Sequence, residues 1–169
     1  MKANIKKTPA ASRTPGRKLQ LMMGTRHDPY QMRRRPTSPS VCPVCKLVYL
    51  KGRWQAGSAP AGAHSEICPA CHRMRDKFPA GYLTIEGPWA YEYRKEVLRT
   101  ARNFAERMQA EHPLERIMSI EESDEKVVIT TTDIHLAQGI GRALHHAYHG
   151  NLVYSFSESE YQLRVTWAC

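Results

Sequence analysis

Two short cysteine pairs, CPVC (Cys42 to Cys45) and CPAC (Cys68 to Cys71), constrain what this chain can fold into more than any other feature. Thiolates at i and i+3 in a tight turn can share one tetrahedral ion, and two such turns complete a four-coordinate shell. The pairs are separated by 22 residues, slightly above the usual spacing, which adds little loop entropy. Within that span LVYLKGRWQ reads as a strand of a ribbon hairpin and GSAPAG as a flexible crossing. Cys42, Cys45, Cys68 and Cys71 are therefore expected to hold one structural Zn2+. Unmetallated buried or redox-active cysteines are the competing reading. Four thiolates leave no open coordination position, which argues against zinc catalysis. His64 and His72 are nearby substitute ligands, with His72 expected to point outward. Cys169 is expected to be an ordinary free thiol.

Charge is the second constraint. The net charge is +9 over 169 residues, and all of the excess lies in residues 1–40, where ten basic residues face one acid, Asp28. Residues 41–169 hold 15 basic and 15 acidic residues. Such asymmetry points to a polyanionic partner met by a basic arm. The arm is rich in Lys, Arg, Pro, Ser and Thr, with little to bury, so it is expected to be disordered until something binds it. A solubilising arm and a mitochondrial transit peptide are the plainer readings, although no amphipathic helical stripe supports the latter. No apolar run approaches the roughly 18 residues of a membrane span. Paired C-x-x-C without an export signal favours metal over disulfide and a cytoplasmic setting.

Three segments are expected: a basic disordered arm over 1–40, a zinc-ribbon module over 41–87 and an α+β domain over 88–169. In the last, Pro88 suits a first helical turn, and Ala90, Tyr93, Val97, Ala101, Phe104 and Met108 form a stripe at steps of three and four. That helix should stop before His112-Pro113. Strands are expected over 116–121 and 126–131. Asp133 then caps a second helix with the stripe Ile134, Ala137, Ile140, Leu144 and Tyr148. Gly150 suits a left-handed helix end, and strands over 152–156 and 161–167 close the chain. The order α-β-β-α-β-β implies a small antiparallel sheet with helices on one face. GIGRAL (Gly139 to Leu144) sits inside a helical pattern and reads as close helix packing, not as a phosphate loop. His145 and His149, one turn apart, read as a solvated or partly buried helix end. No nucleophile–base pair stands out, so an enzyme is not expected, nor is a small-molecule substrate.

The candidate nucleic-acid contacts are Lys6, Lys7, Arg13, Arg17, Lys18, Arg26, Arg33, Arg34 and Arg35 of the arm, then Lys46, Lys51, Arg53, Trp54, Arg73 and Arg75 around the cysteines. Basic side chains neutralise phosphates, and aromatic faces stack on unpaired bases. Trp54 and Tyr49 either stack in this way or pack the small core of the ribbon.

Together the blocks HDPY (His27 to Tyr30), CPVC, KGRW (Lys51 to Trp54), CPAC, AGYL (Ala80 to Leu83), HPLERIM (His112 to Met118) and TTTDIHLA (Thr130 to Ala137) resemble a family of short bacterial zinc-ribbon proteins, over about residues 26–167. The paired C-x-x-C followed by an α+β segment also looks like the N-terminal part of the large-ribosomal-subunit export adaptor of archaea and eukaryotes. That likeness implies ribosome binding and supplies no catalytic residues. Knuckles in such proteins often carry Gly after the second Cys, where Lys46 and His72 stand here, a departure that bears on the turn geometry. The resulting expectation is a zinc-containing RNA-binding protein associated with the ribosome, acting in subunit assembly or in silencing idle ribosomes under stress. A DNA-binding transcriptional regulator and a protein-interaction adaptor are the alternatives.

Overall fold

The computed structural model describes residues 28–30, 35–157 and 159–169. Most of the expected arm, with Lys6, Lys7, Arg13, Arg17, Lys18, Arg26, Arg33 and Arg34, lies outside the described residues.

The first sheet is small. Its strands are β1 (Ser40–Val41), β2 (Val48–Leu50), β3 (Arg53–Gln55) and β4 (His64–Ser65), in the order β3-β2-β1-β4. Strands β2 and β3 form an antiparallel hairpin in which Leu50 pairs with Arg53. The two residues between them, Lys51 and Gly52, have φ of 51° and 84°. Left-handed conformation at both central positions matches the right-handed twist of the flanking strands. Helix α1 (Pro69–Asp76) follows and ends on Lys77 at φ 51°.

The remaining elements are β5 (Gly81–Glu86), α2 (Pro88–Glu92), α3 (Arg94–Glu111), β6 (Ile117–Glu122), β7 (Lys126–Thr131), α4 (Ile134–Tyr148), β8 (Asn151–Ser157) and β9 (Gln162–Ala168). The five strands form one sheet in the order β6-β7-β5-β9-β8. The α+β class holds, but the helix expected from Pro88 to before His112 is broken at Tyr93 into α2 and α3, and LVYLKGRWQ, expected as one strand, is the β2-β3 hairpin. The sheet is mixed and not wholly antiparallel, because β5 runs parallel to β9. Gly81–Glu86, within the segment 41–87 expected to form the zinc ribbon, is β5, the central strand of this second sheet. The reason is range: Gly81 pairs with Thr131 on one side and Leu163 on the other, and nothing local to GYLTIE announces partners so far along the chain.

Alternation along the strands puts one face into the core. Leu83, Ile85, Val127, Ile129, Leu163, Val165 and Trp167 are buried there beneath Ala137, Ile140 and Leu144 of α4. Val97, Ala101 and Ala105 of α3 join the same core. Asp133 caps α4 through a bond accepted from the His135 N–H. The glycines of GIGRAL allow close approach: a Cβ at Gly139 would lie 2.7 Å from Phe104, and one at Gly141 would lie 2.8 Å from Val165. Gly81 is tighter still, since a Cβ there would meet Thr131 Oγ1, Ala137 Cβ at 2.5 Å and the Asp133 carbonyl at 3.1 Å. Neither a carbonyl nor a Cβ can rotate aside. Gly81→Ala is therefore expected to cost about 2 kcal/mol by overpacking, measured as a shift in the urea midpoint. An unchanged midpoint would mean that β5 and α4 are not in this contact.

Candidate metal centre

Each cysteine pair is presented by a different local structure. Cys42 and Cys45 flank a turn after β1 in which the Lys46 N–H donates to the Cys42 carbonyl at 2.9 Å and the Cys42 N–H donates to the Leu47 carbonyl at 2.8 Å. Closing that turn places Lys46 at φ 64°, a region that disfavours side chains. The Lys46 ammonium donates to the Pro43 carbonyl at 2.9 Å. The second pair is built otherwise. Cys68 is the N-cap of α1, its sulfur accepting from the Cys71 N–H at 3.5 Å, with Pro69 opening the helix. His72 continues that helix, its N–H donating to the Cys68 carbonyl at 3.0 Å. No left-handed residue is needed after Cys71, which accounts for a histidine where a glycine stands in a simple knuckle. The helix N-terminus also favours negative charge on sulfur.

The sulfurs of Cys42, Cys45, Cys68 and Cys71 all lie within 4.8 Å of one another. Cys45 Sγ and Cys68 Sγ are 3.6 Å apart, close to the roughly 3.8 Å edge of a tetrahedron with metal–sulfur bonds of about 2.3 Å. All four are free thiols, three buried and Cys45 half-buried. Such a soft, closed donor set could hold one metal ion and is compatible with structural zinc. His64 and His72 stand outside the cluster; His72 Nδ1 lies 3.0 Å from the Arg75 guanidinium.

The surroundings treat the four sulfurs unequally. Burial pushes the Cys68 thiol well up and the Cys71 thiol up to about 11. Burial also opposes ionisation of Cys45, but the Arg116 guanidinium, the Leu47 N–H and the neighbouring thiols outweigh it and bring that thiol down to about 6. Four thiolates in so dry a space repel one another until a metal supplies positive charge.

Of the other candidate residues, Arg35, Lys46, Lys51, Arg53 and Arg75 are exposed. Two proposed contacts are corrected. Arg73 is 1% exposed: its guanidinium is ion-paired with Asp28, donates to the Phe78 carbonyl at 3.0 Å and lies 4.3 Å from the centre of the Tyr30 ring. Its charge is spent inside the molecule and is not open to phosphate. Trp54 is 7% exposed and packs on Tyr49, ring centres 5.4 Å apart, in a core with Leu47 and Ala70. Of its two readings, packing is the one realised, and its face is not free to stack on a base.

Residues that sequence reasoning left without a role also border the cluster. Arg116 Nη1 donates to Cys71 Sγ at 3.7 Å, and Leu114 packs on the small core. Both come from HPLERIM. Asp28 and Tyr30 of HDPY clamp α1, Tyr30 Oη donating to Asp76 at 3.0 Å. A lone acid in a basic arm was the one signal that Asp28 has a partner.

Neither a family model, nor a curated protein, nor a solved structure matches the chain. Among the described residues no helix is long and apolar enough to cross a membrane.

Proposed function

We propose that this is a cytoplasmic zinc protein that binds RNA and associates with the ribosome or one of its subunits, using residues 1–40 as a cationic arm on rRNA. The observation that carries the reading is the placement of charge: ten basic residues against one acid over residues 1–40, the acid itself neutralised by buried Arg73. Exposed Arg35, Lys46, Lys51, Arg53 and Arg75 extend that field around the metal centre. Zinc is structural here, since four thiolates close its shell, and the protein is not an enzyme. The resemblance to the ribosomal export adaptor agrees with a role in subunit assembly or in silencing idle ribosomes.

Sedimentation through sucrose with ribosomes from growing and starved cells tests this. Comigration with a subunit or monosome peak is expected at low salt and should fall steeply as salt rises, because each phosphate neutralised releases counterions. Deleting residues 1–26 removes seven basic side chains while sparing the Asp28–Arg73 pair, and is expected to weaken association at least about tenfold. Full retention of binding would sink the arm's role. Protein that stays at the top of the gradient in every condition would overturn the ribosomal reading and turn attention to duplex DNA or a protein partner.

A further inference from the structure

Arg116 belongs by sequence to the lead-in of β6, yet its side chain ends at the cysteines of the other core. Among the described residues it is the one basic side chain hydrogen-bonded to a cluster sulfur. Its backbone is pinned to the larger body: the Arg116 N–H donates to Thr132 Oγ1 at 2.8 Å, and the Thr132 N–H donates to the Arg116 carbonyl at 2.9 Å. Thr132 Oγ1 donates in turn to the Leu114 carbonyl at 2.6 Å, while the Leu114 side chain packs on the metal module. Arg116 Nε donates to the Pro113 carbonyl at 2.8 Å, which fixes the direction of the guanidinium. Residues 113–116 thus serve two cores at once.

We propose that Arg116 is the counter-ion of the metal cluster and that metal occupancy, acting through it, sets how the cysteine module is seated on the five-stranded body. A divalent ion held by four thiolates keeps a net charge of about −2. Inside a protein such charge is stabilised by hydrogen-bond donors around the ligands, which also retain the metal. Here the donor is supplied by the other body. The metal fixes the four thiolates in place. Without it the four sulfurs are no longer fixed around the half-buried guanidinium, and the strut 113–116 loosens its hold on the cysteine module.

The inference rests on the metal reading of the cysteines, and the experiment separates the two. Zinc content of the whole chain is measured first. Zinc transfer to a colorimetric chelator and hydrogen exchange are then followed in wild type, Arg116→Met and Arg116→Lys. Arg116→Met is expected to release zinc about 10–100-fold faster, and Arg116→Lys to fall between it and wild type. Exchange over 112–118 should rise in zinc-loaded Arg116→Met, toward the upper limit set by wild type stripped of zinc, while β5 and β9 stay protected as a check on folding. Stoichiometric zinc with an unchanged release rate in Arg116→Met overturns this inference alone. Faster exchange in that variant without faster release marks a local brace to Pro113, and overturns it as well. Wild-type protein that neither carries nor takes up zinc removes both readings.

Discussion

Replacing Cys68 by Ser is expected to abolish stoichiometric zinc binding and to unfold residues 40–77, leaving the five-stranded sheet folded. The small core consists of Cys42, Leu47, Tyr49, Trp54, Cys68, Ala70 and Cys71. Three of those seven are cysteines of the candidate metal cluster, and the rest cannot offset the entropy of ordering such a module without help. Metal binding contributes on the order of 10 kcal/mol in comparable small sites, and that binding energy is folding energy. Cys68 matters doubly because its sulfur also caps α1. The larger core shares none of these residues. Tryptophan indole resonances separate the two bodies, since Trp54 lies in the small core and Trp167 in the large one. Trp54 should move to its unfolded position while Trp167, whose indole N–H donates to the His149 carbonyl at 2.7 Å, keeps its native shift. Full zinc content in the variant would refute the ligand assignment. Loss of the Trp167 signal would refute the independence of the larger body.

The second large effect is expected at Asp28. Removing one partner of a buried ion pair leaves an uncompensated charge, at a cost of about 3 kcal/mol. Arg73 is the buried partner, and Asp28 retains some access to water. The Tyr30 ring and the Phe78 carbonyl remain to Arg73, but neither carries a negative charge. Asp28→Ala should therefore lower the urea midpoint of the cysteine module, followed at Trp54. Removing both charges, in Asp28→Ala with Arg73→Met, should recover much of the loss, because replacing both members of a buried pair with apolar groups is far less costly than orphaning one. A single Asp28→Ala variant as stable as wild type would show that HDPY does not clamp α1 in solution.

The elements that were legible in the chain share one property, in that their signals are local. The stripe Ile134, Ala137, Ile140 and Leu144 and the cap at Asp133 define α4 within one stretch, and the alternation of Leu163, Val165 and Trp167 defines β9. HDPY and HPLER were visible as blocks, but their roles were not. Asp28 meets Arg73 and Arg116 meets Cys71 across the fold, and spacing says nothing about such meetings. Arg73 and Trp54 mislead for the opposite reason. A basic residue and an aromatic one beside a metal ribbon look the same in sequence whether they face solvent or serve the core, and only burial tells them apart.

By itself the sequence determined the four-cysteine set that could hold a metal, the two main helices, the strand periods and the concentration of charge in residues 1–40, since thiol spacing, helical and strand periodicity and composition act over a few residues each. Only the tertiary structure decided that GYLTIE is the central strand of the mixed sheet, that one cysteine pair sits in a left-handed turn and the other at a helix cap, and that Arg116 from the second body completes the surroundings of the first. Those outcomes depend on hydrogen bonds and ion pairs between segments distant in the chain, whose partners are chosen when the cores pack.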